Sequence, residues 1–188
     1  PGAGGLMRIL NISNPAAMTL VSTFGTPGGY AAAYWVGNYV YATNYTNDVF
    51  EIWNVTNPAA PVAAGSISYP GAGLRRVVAR DDVAYLSGAV ANQVYVIDVA
   101  NPLAPVQIAS VAMGGQGSDD PPSFSPAFSP SGDRLYWGTI LGSVTDPGVF
   151  YVIDITVPAA ARRVRPFASF DSVHRRFGGP IMRVVRPH

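Results

Sequence analysis

EIWNVTNPAAPVAAGS, residues 51–66, is followed 44 residues later by YVIDVANPLAPVQIAS, residues 95–110. Each spells a β-branched and aromatic stretch, an Asn-Pro break and a second apolar stretch. Alignment on the break adds ILNISNPAAMTLVST near the start and VIDITVPAAARRVRP near the end, with the shared proline at Pro15, Pro58, Pro102 and Pro158, separated by 43, 44 and 56 residues. A second anchor, the Tyr of YVYATN, VAYLSG and RLYWGT, falls at Tyr41, Tyr85 and Tyr136, separated by 44 and 51. Two anchors in step define one repeating unit with a late insertion.

Within a unit the apolar period is 2, as in a strand with two unlike faces. VFEIWNV (49–55) and QVYVIDV (93–99) are β-branched and aromatic, and Gly, Asn, Asp and Pro punctuate their ends. Proline lacks the backbone donor and disfavours helix in the residue before it, so the strand must stop and the chain must turn. Asn or Asp a few residues earlier can bond locally and support that turn. The sequons at Asn11 and Asn54 occupy this turn position, where later copies carry Asp98 and Asp154. The turn explains them without glycans; a third sequon begins at Asn44.

Each unit reads as four short strands; in the third full copy they are SFSPAFS, DRLYWGTI, VFYVIDI and RRVRPFA, with SPSGD turning between the first two. Four antiparallel strands in about 40 to 45 residues match a propeller blade. One twisted sheet leaves both faces wet, and stacking sheet on sheet covers them. The expected fold is an all-β propeller array spanning 1–188 as one domain. Residues 6–24 supply a partial blade, 28–67, 71–112 and 122–169 three blades, and 170–188 the start of another blade or a basic tail. A segment of a ring of six to eight blades is favoured over a four-bladed ring closed by both chain ends.

FSPAFSPSGDRLYWGTI (124–140) followed by VFYVIDI resembles the YVTN-type propeller repeat, as does YATNYTNDVFEIWNV (41–55). WNVTNPAAPV and IDVANPLAPV resemble the LVIVD repeat of bacterial propeller-like proteins. The resemblance covers roughly residues 6 to 168 and implies a blade, an extracellular, cell-surface or periplasmic place, and no catalytic motif. Its departures are the Asn missing before Pro158 and the longer third unit.

Composition narrows the function classes. Hydrophobic residues make up 48% of 188 and charged residues 12%, about half the usual charged share. No apolar run reaches the ~18 to 20 residues of a membrane span, and the chain reads as soluble. Cysteine is absent, and all twelve basic residues are Arg. The chain opens on PGAGG with no visible secretory signal.

His174 and His188 are the only histidines and form no zinc pairing; His174 with Asp171 lacks a nucleophile elbow. Asp119 and Asp120 lack the alternation of a calcium loop, and Asp81–Asp82 sits where a hairpin between first and second strands belongs. GTPGG and PGAG fall between units and read as turns rather than phosphate cradles. No catalytic, metal or cofactor-binding residue is therefore assigned, and no cofactor is expected.

One charge asymmetry stands out. Arg162, Arg163, Arg165, Arg175, Arg176, Arg183 and Arg186 all follow residue 161, opposed only by Asp171. They could dock an anionic partner; nucleic acid is disfavoured for want of interleaved aromatics beyond Phe167, Phe170 and Phe177. The favoured function is a non-catalytic interaction or scaffold module that holds a partner protein or surface glycan. The alternative is a propeller enzyme, a hydrolase, lactonase or quinone-dependent dehydrogenase, whose channel site this chain does not complete.

Overall fold

The computed structural model describes residues 5–88, 90–113, 126–138 and 150–167. They are all-β apart from one short 3-10 turn. Strands β1 (Met7–Asn11) and β2 (Thr19–Phe24) pair as a two-stranded sheet, here sheet I. Sheet II is β3 (Tyr30–Val36), β4 (Tyr39–Asn44), β5 (Val49–Asn54) and β6 (Val62–Ser68). Sheet III is β7 (Leu74–Arg80), β8 (Val83–Gly88), β9 (Gln93–Asp98) and β10 (Val106–Ala112). Sheet IV is β11 (Ala127–Phe128), β12 (Arg134–Gly138), β13 (Phe150–Asp154) and β14 (Arg162–Phe167). Every neighbouring pair is antiparallel and consecutive in sequence, so each sheet is a meander. These are blades of a propeller, and β1 and β2 occupy the third- and fourth-strand positions of theirs.

The strands of sheets II and III correspond residue for residue at an offset of 44. Alternation gives each sheet one face toward the sheet before it and one toward the sheet after. Tyr41, Phe50 and Ile52 of sheet II meet Leu74, Val77, Ala79, Leu86 and Ile97 of sheet III in one buried cluster. Val78, Tyr85, Val94 and Val96 on the other face of sheet III meet Leu135, Trp137, Tyr151 and Ile153 of sheet IV in a second. Burying each large side chain contributes about 1.5–3 kcal/mol, and two sheets must approach to bury any of them. Hence the unit of stability is the interface between blades.

The Asn-Pro turn is built twice over. Oδ1 of Asn11, Asn54, Asp98 and Asp154 accepts the N–H two residues on, at 2.9, 2.9, 2.9 and 3.1 Å. Oδ1 of Asn14, Asn57 and Asn101 then does the same for Ala16, Ala59 and Leu103 at 3.1, 3.1 and 3.2 Å. The fourth copy has Val157 here, and its turn is a 3-10 stretch, Pro158–Ala160, with no side-chain cap. The backbone bond closing the turn is kept in all four, from Ala17, Ala60, Ala104 and Ala160 to the residue before the proline. Val157 is exposed, so Val157→Asn restores the missing acceptor at no packing cost and is expected to stabilise by about 0.5–1 kcal/mol, read as a raised urea midpoint.

The turn also docks sideways. Ser22 Oγ on β2 donates to the Pro58 carbonyl at 2.7 Å. Eight residues after the Asn of each turn stand Ser22, Gly65 and Ala109, all small. A side chain on Gly65 would run into the Pro102 carbonyl and the Pro105 ring, with Pro105 Cδ only 2.7 Å from a Cβ. The turns of sheets II and III therefore rest on the fourth strand of the preceding sheet.

Candidate functional site

Glu51, the only Glu of the chain, lies buried on β5. It is on the face of sheet II that looks toward sheet I. Oε2 accepts the Trp53 indole N–H at 2.9 Å and the Tyr30 hydroxyl, while Asn44 Nδ2 approaches Oε1 at 3.4 Å. The Tyr30 oxygen in turn accepts the Thr26 N–H at 2.8 Å. Thr46 Oγ1 accepts the Gly29 N–H at 2.9 Å, and Asn47 Nδ2 donates to the Pro27 carbonyl at 3.1 Å. The connection between sheets I and II is thus held by Glu51 through Tyr30 and by the β4–β5 turn.

A cleft of about 250 Å³ opens beside this network, lined by Thr26, Asn47, Glu51, Trp53 and Ser66 among others. Trp53 stands edge-on to Phe24 with ring centroids 5.5 Å apart, which fixes the indole. The wall combines an aromatic ring, a carboxylate whose donors lock it, an amide and hydroxyls. Such a set can recognise a hydroxylated ligand by stacking and hydrogen bonds. Its size suits one sugar ring more than a polymer.

Burial pushes the Tyr30 phenol up to about 12, and the bond to Glu51 adds to the rise. Burial, then the Asp81 charge, takes Tyr85 to about 12 as well. Tyr41, Tyr69, Tyr95 and Tyr151 are shifted the same way, burial first. Unfolded tyrosines ionise near ~10; between ~10 and ~12 the unfolded chain has lost protons that the folded one keeps, so stability is whole below pH ~10 and falls as pH rises toward ~12. Solvent screening at the partly exposed Tyr30 reduces its share. In an alkaline titration followed by absorbance, the tyrosinate contributed by these six residues should appear together with unfolding rather than before it.

The C-terminal arginines divide. Arg162 and Arg163 are successive residues of β14 and point to opposite faces. Arg162 Nη2 pairs with Asp154 Oδ2 at 3.1 Å with three-quarters of its side chain still exposed. Asp154 also holds Arg134 at 2.9 Å, and the Thr156 hydroxyl and N–H keep its carboxyl below the usual carboxylate range. Arg163 reaches back to sheet III, donating to the Met113 carbonyl and lying 5.7 Å over the Tyr151 ring. Arg165 lies on β14; Arg175, Arg176, Arg183 and Arg186 lie outside the described residues, as do Asp119, Asp120, Asp171, His174 and His188. Asp81–Asp82 is the β7–β8 hairpin, with Asp81 at φ 52°. Asn44 is fully buried and bonded to Glu51, which closes that sequon to modification in the folded chain.

Sequence reasoning passed over Glu51 because a lone acid in a strand carries no spacing signal. It also passed over Arg75, beside the bulge on β7, whose guanidinium lies 4.0 Å over the Tyr45 ring of the preceding sheet. Among the described residues no three His, Cys, Asp or Glu side chains converge as a metal site, and no helix is long and apolar enough to cross a membrane.

No protein-family model matches the chain, and no curated protein does. Solved structures do. A protein from Lactobacillus plantarum superposes with a TM-score of 0.71 at 15% identity, over 87% of this chain and 51% of that one. The periplasmic gluconolactonase of Pseudomonas aeruginosa gives 0.67 at 16%, over 89% and 51%. Hydrazine synthase of Kuenenia stuttgartiensis gives 0.57 at 19%, over 79% and 39%. The chain spans about half the length of the first two. At these identities the likeness establishes the propeller-type fold, and proteins of such different chemistry share it.

Proposed function

We propose that this chain is part of a bacterial β-propeller of the YVTN/LVIVD repeat type that acts as a non-catalytic interaction module, extracellular, at the cell surface or in the periplasm. Its partner is a surface glycan or a protein subunit. The observation that carries this reading is the cleft beside Glu51, where the acid is immobilised by Tyr30, Trp53 and Asn44 and a half-buried indole shares the wall. A group locked by donors and stacked beside a ring holds a hydroxylated ligand rather than working on one. Binding of the 188-residue chain to an array of bacterial glycans, with loss of the same signals in Ser66→Phe, tests it. Ser66 is exposed on β6, and a phenyl group there fills the cleft from outside. No signal on any glycan, or signals indifferent to Ser66→Phe, would remove the glycan reading.

Anion docking through the arginines is a second contact of the same module. Arg163 is committed to sheet III, so the informative variant replaces Arg162, Arg175, Arg176, Arg183 and Arg186 by Ser. Heparin retention should weaken with salt and fall in that variant; unchanged elution would remove this part. The periplasmic gluconolactonase among the similar structures favours one other reading, a lactone hydrolase. Proton release from glucono-1,5-lactone above the buffer rate would support it over the binding module.

A further inference from the structure

The polar network around Glu51 has no counterpart in the next copy of the repeat. At the offset of 44 that relates sheets II and III, Tyr30, Asn44, Glu51 and Trp53 correspond to Leu74, Gly88, Tyr95 and Ile97, all four buried. In sheet III the Tyr95 ring lies against Gly88, where an added Cβ would come within 2.7 Å of it, and against Tyr69 with centroids 4.4 Å apart. The fold therefore fills this place with largely apolar groups when packing alone decides. Sheet II puts a carboxylate, an amide, a phenol and an indole there together, which packing does not require.

Glu51 is only 5% exposed, and every ion pair among the described residues lies elsewhere. Its three donors, the Tyr30 hydroxyl, the Trp53 indole and the Asn44 amide, are all neutral. Two of them serve Oε2, and the third reaches Oε1 only at 3.4 Å. A buried charge without an opposite charge is costly, and Oε1 keeps room for a stronger donor. None of the described residues lining the cleft is basic; Thr26, Asn47 and Ser66 add neutral polar groups and Trp53 adds a ring. Carboxylate and indole in one wall both favour a cation.

Taking the cleft as a glycan site, as proposed above, we infer that its ligand is an amino sugar: a hexosamine residue whose free ammonium group donates to Glu51 Oε1 while its ring stands against Trp53. A quaternary ammonium carries the charge but has no N–H to give Oε1. A neutral hexose has donors without the charge, and an N-acetylated one loses the charge and adds bulk to a cleft of about 250 Å³.

Calorimetric titration of the 188-residue chain with D-glucosamine, D-glucose and N-acetyl-D-glucosamine, at mildly acidic pH where the amine is protonated, tests this. Glucosamine should bind at least about tenfold more tightly than the other two. Glu51→Gln keeps the shape of the side chain and removes its charge, so it should erase that preference while leaving the weaker sugars as they were. Ser66→Lys, at the exposed position paired with Glu51 across β5 and β6, brings its own ammonium to the cleft on a surface site that does not threaten folding. It should abolish the preference as well. Equal binding of the three sugars, or a preference that survives both substitutions, would overturn the amino-sugar assignment and leave the glycan reading standing. Binding of none of them would overturn both.

Discussion

Gly65→Val should lower the stability of the chain by at least about 2–3 kcal/mol, seen as a fall of roughly 5–10 °C in Tm or an equivalent drop in urea midpoint. The reason lies 37 residues along the chain. The carbonyl of Pro102 and the ring of Pro105 occupy the space a side chain would need. Both belong to a turn fixed by Asn101 and closed by the Ala104 N–H, so neither can retreat without opening the contact between sheets II and III. Ser66→Val, one position on and exposed, is the control and should change stability by less than about 0.5 kcal/mol. Equal effects at the two positions would mean that the turn does not bear on Gly65.

Trp137 separates volume from hydrogen bonding. It is fully buried in the cluster between sheets III and IV, and its indole N–H has no hydrogen-bond partner among the described residues. Trp137→Ala should cost about 3–5 kcal/mol, from lost burial and the cavity left behind. Trp137→Phe removes the unpaired donor along with part of the ring, and the two changes oppose one another. A cost near 1 kcal/mol is expected. If Phe proved as damaging as Ala in chemical denaturation, the N–H would have to be making a bond that its surroundings do not show.

Several features were readable before folding. The repeat of Pro58 and Pro102 announced a strand reversal, and the paired Asx acceptors at Asn54 and Asn57 show why local chemistry sufficed: both bonds close within two residues. The loss of Asn before Pro158 was equally visible, and its consequence is the uncapped 3-10 turn. The β7–β8 hairpin at Asp81–Asp82 followed from its alignment with Ser131–Asp133. These are contacts between near neighbours, and sequence records near neighbours directly.

Other features needed distance. Asp48 reads as an ordinary turn residue at φ 51°, yet its carboxylate accepts from Gly71 and Leu74 at 2.9 and 3.2 Å and ties sheet II to the start of sheet III. Arg162 and Arg163 look alike in a basic run, but strand alternation sends one to Asp154 and the other to Met113. A count of charges cannot see that division.

By itself the sequence determined the strands, their order and their turns, because a period of 2 and an Asn-Pro break act over a few residues. It determined as well that the sheets must stack, since each carries two apolar faces. Only the tertiary structure decided which residues must be small, which arginine is committed and which acid is locked. Those depend on where one sheet's turn or side chain meets the next, some 20 to 50 residues away, and that meeting is set by packing.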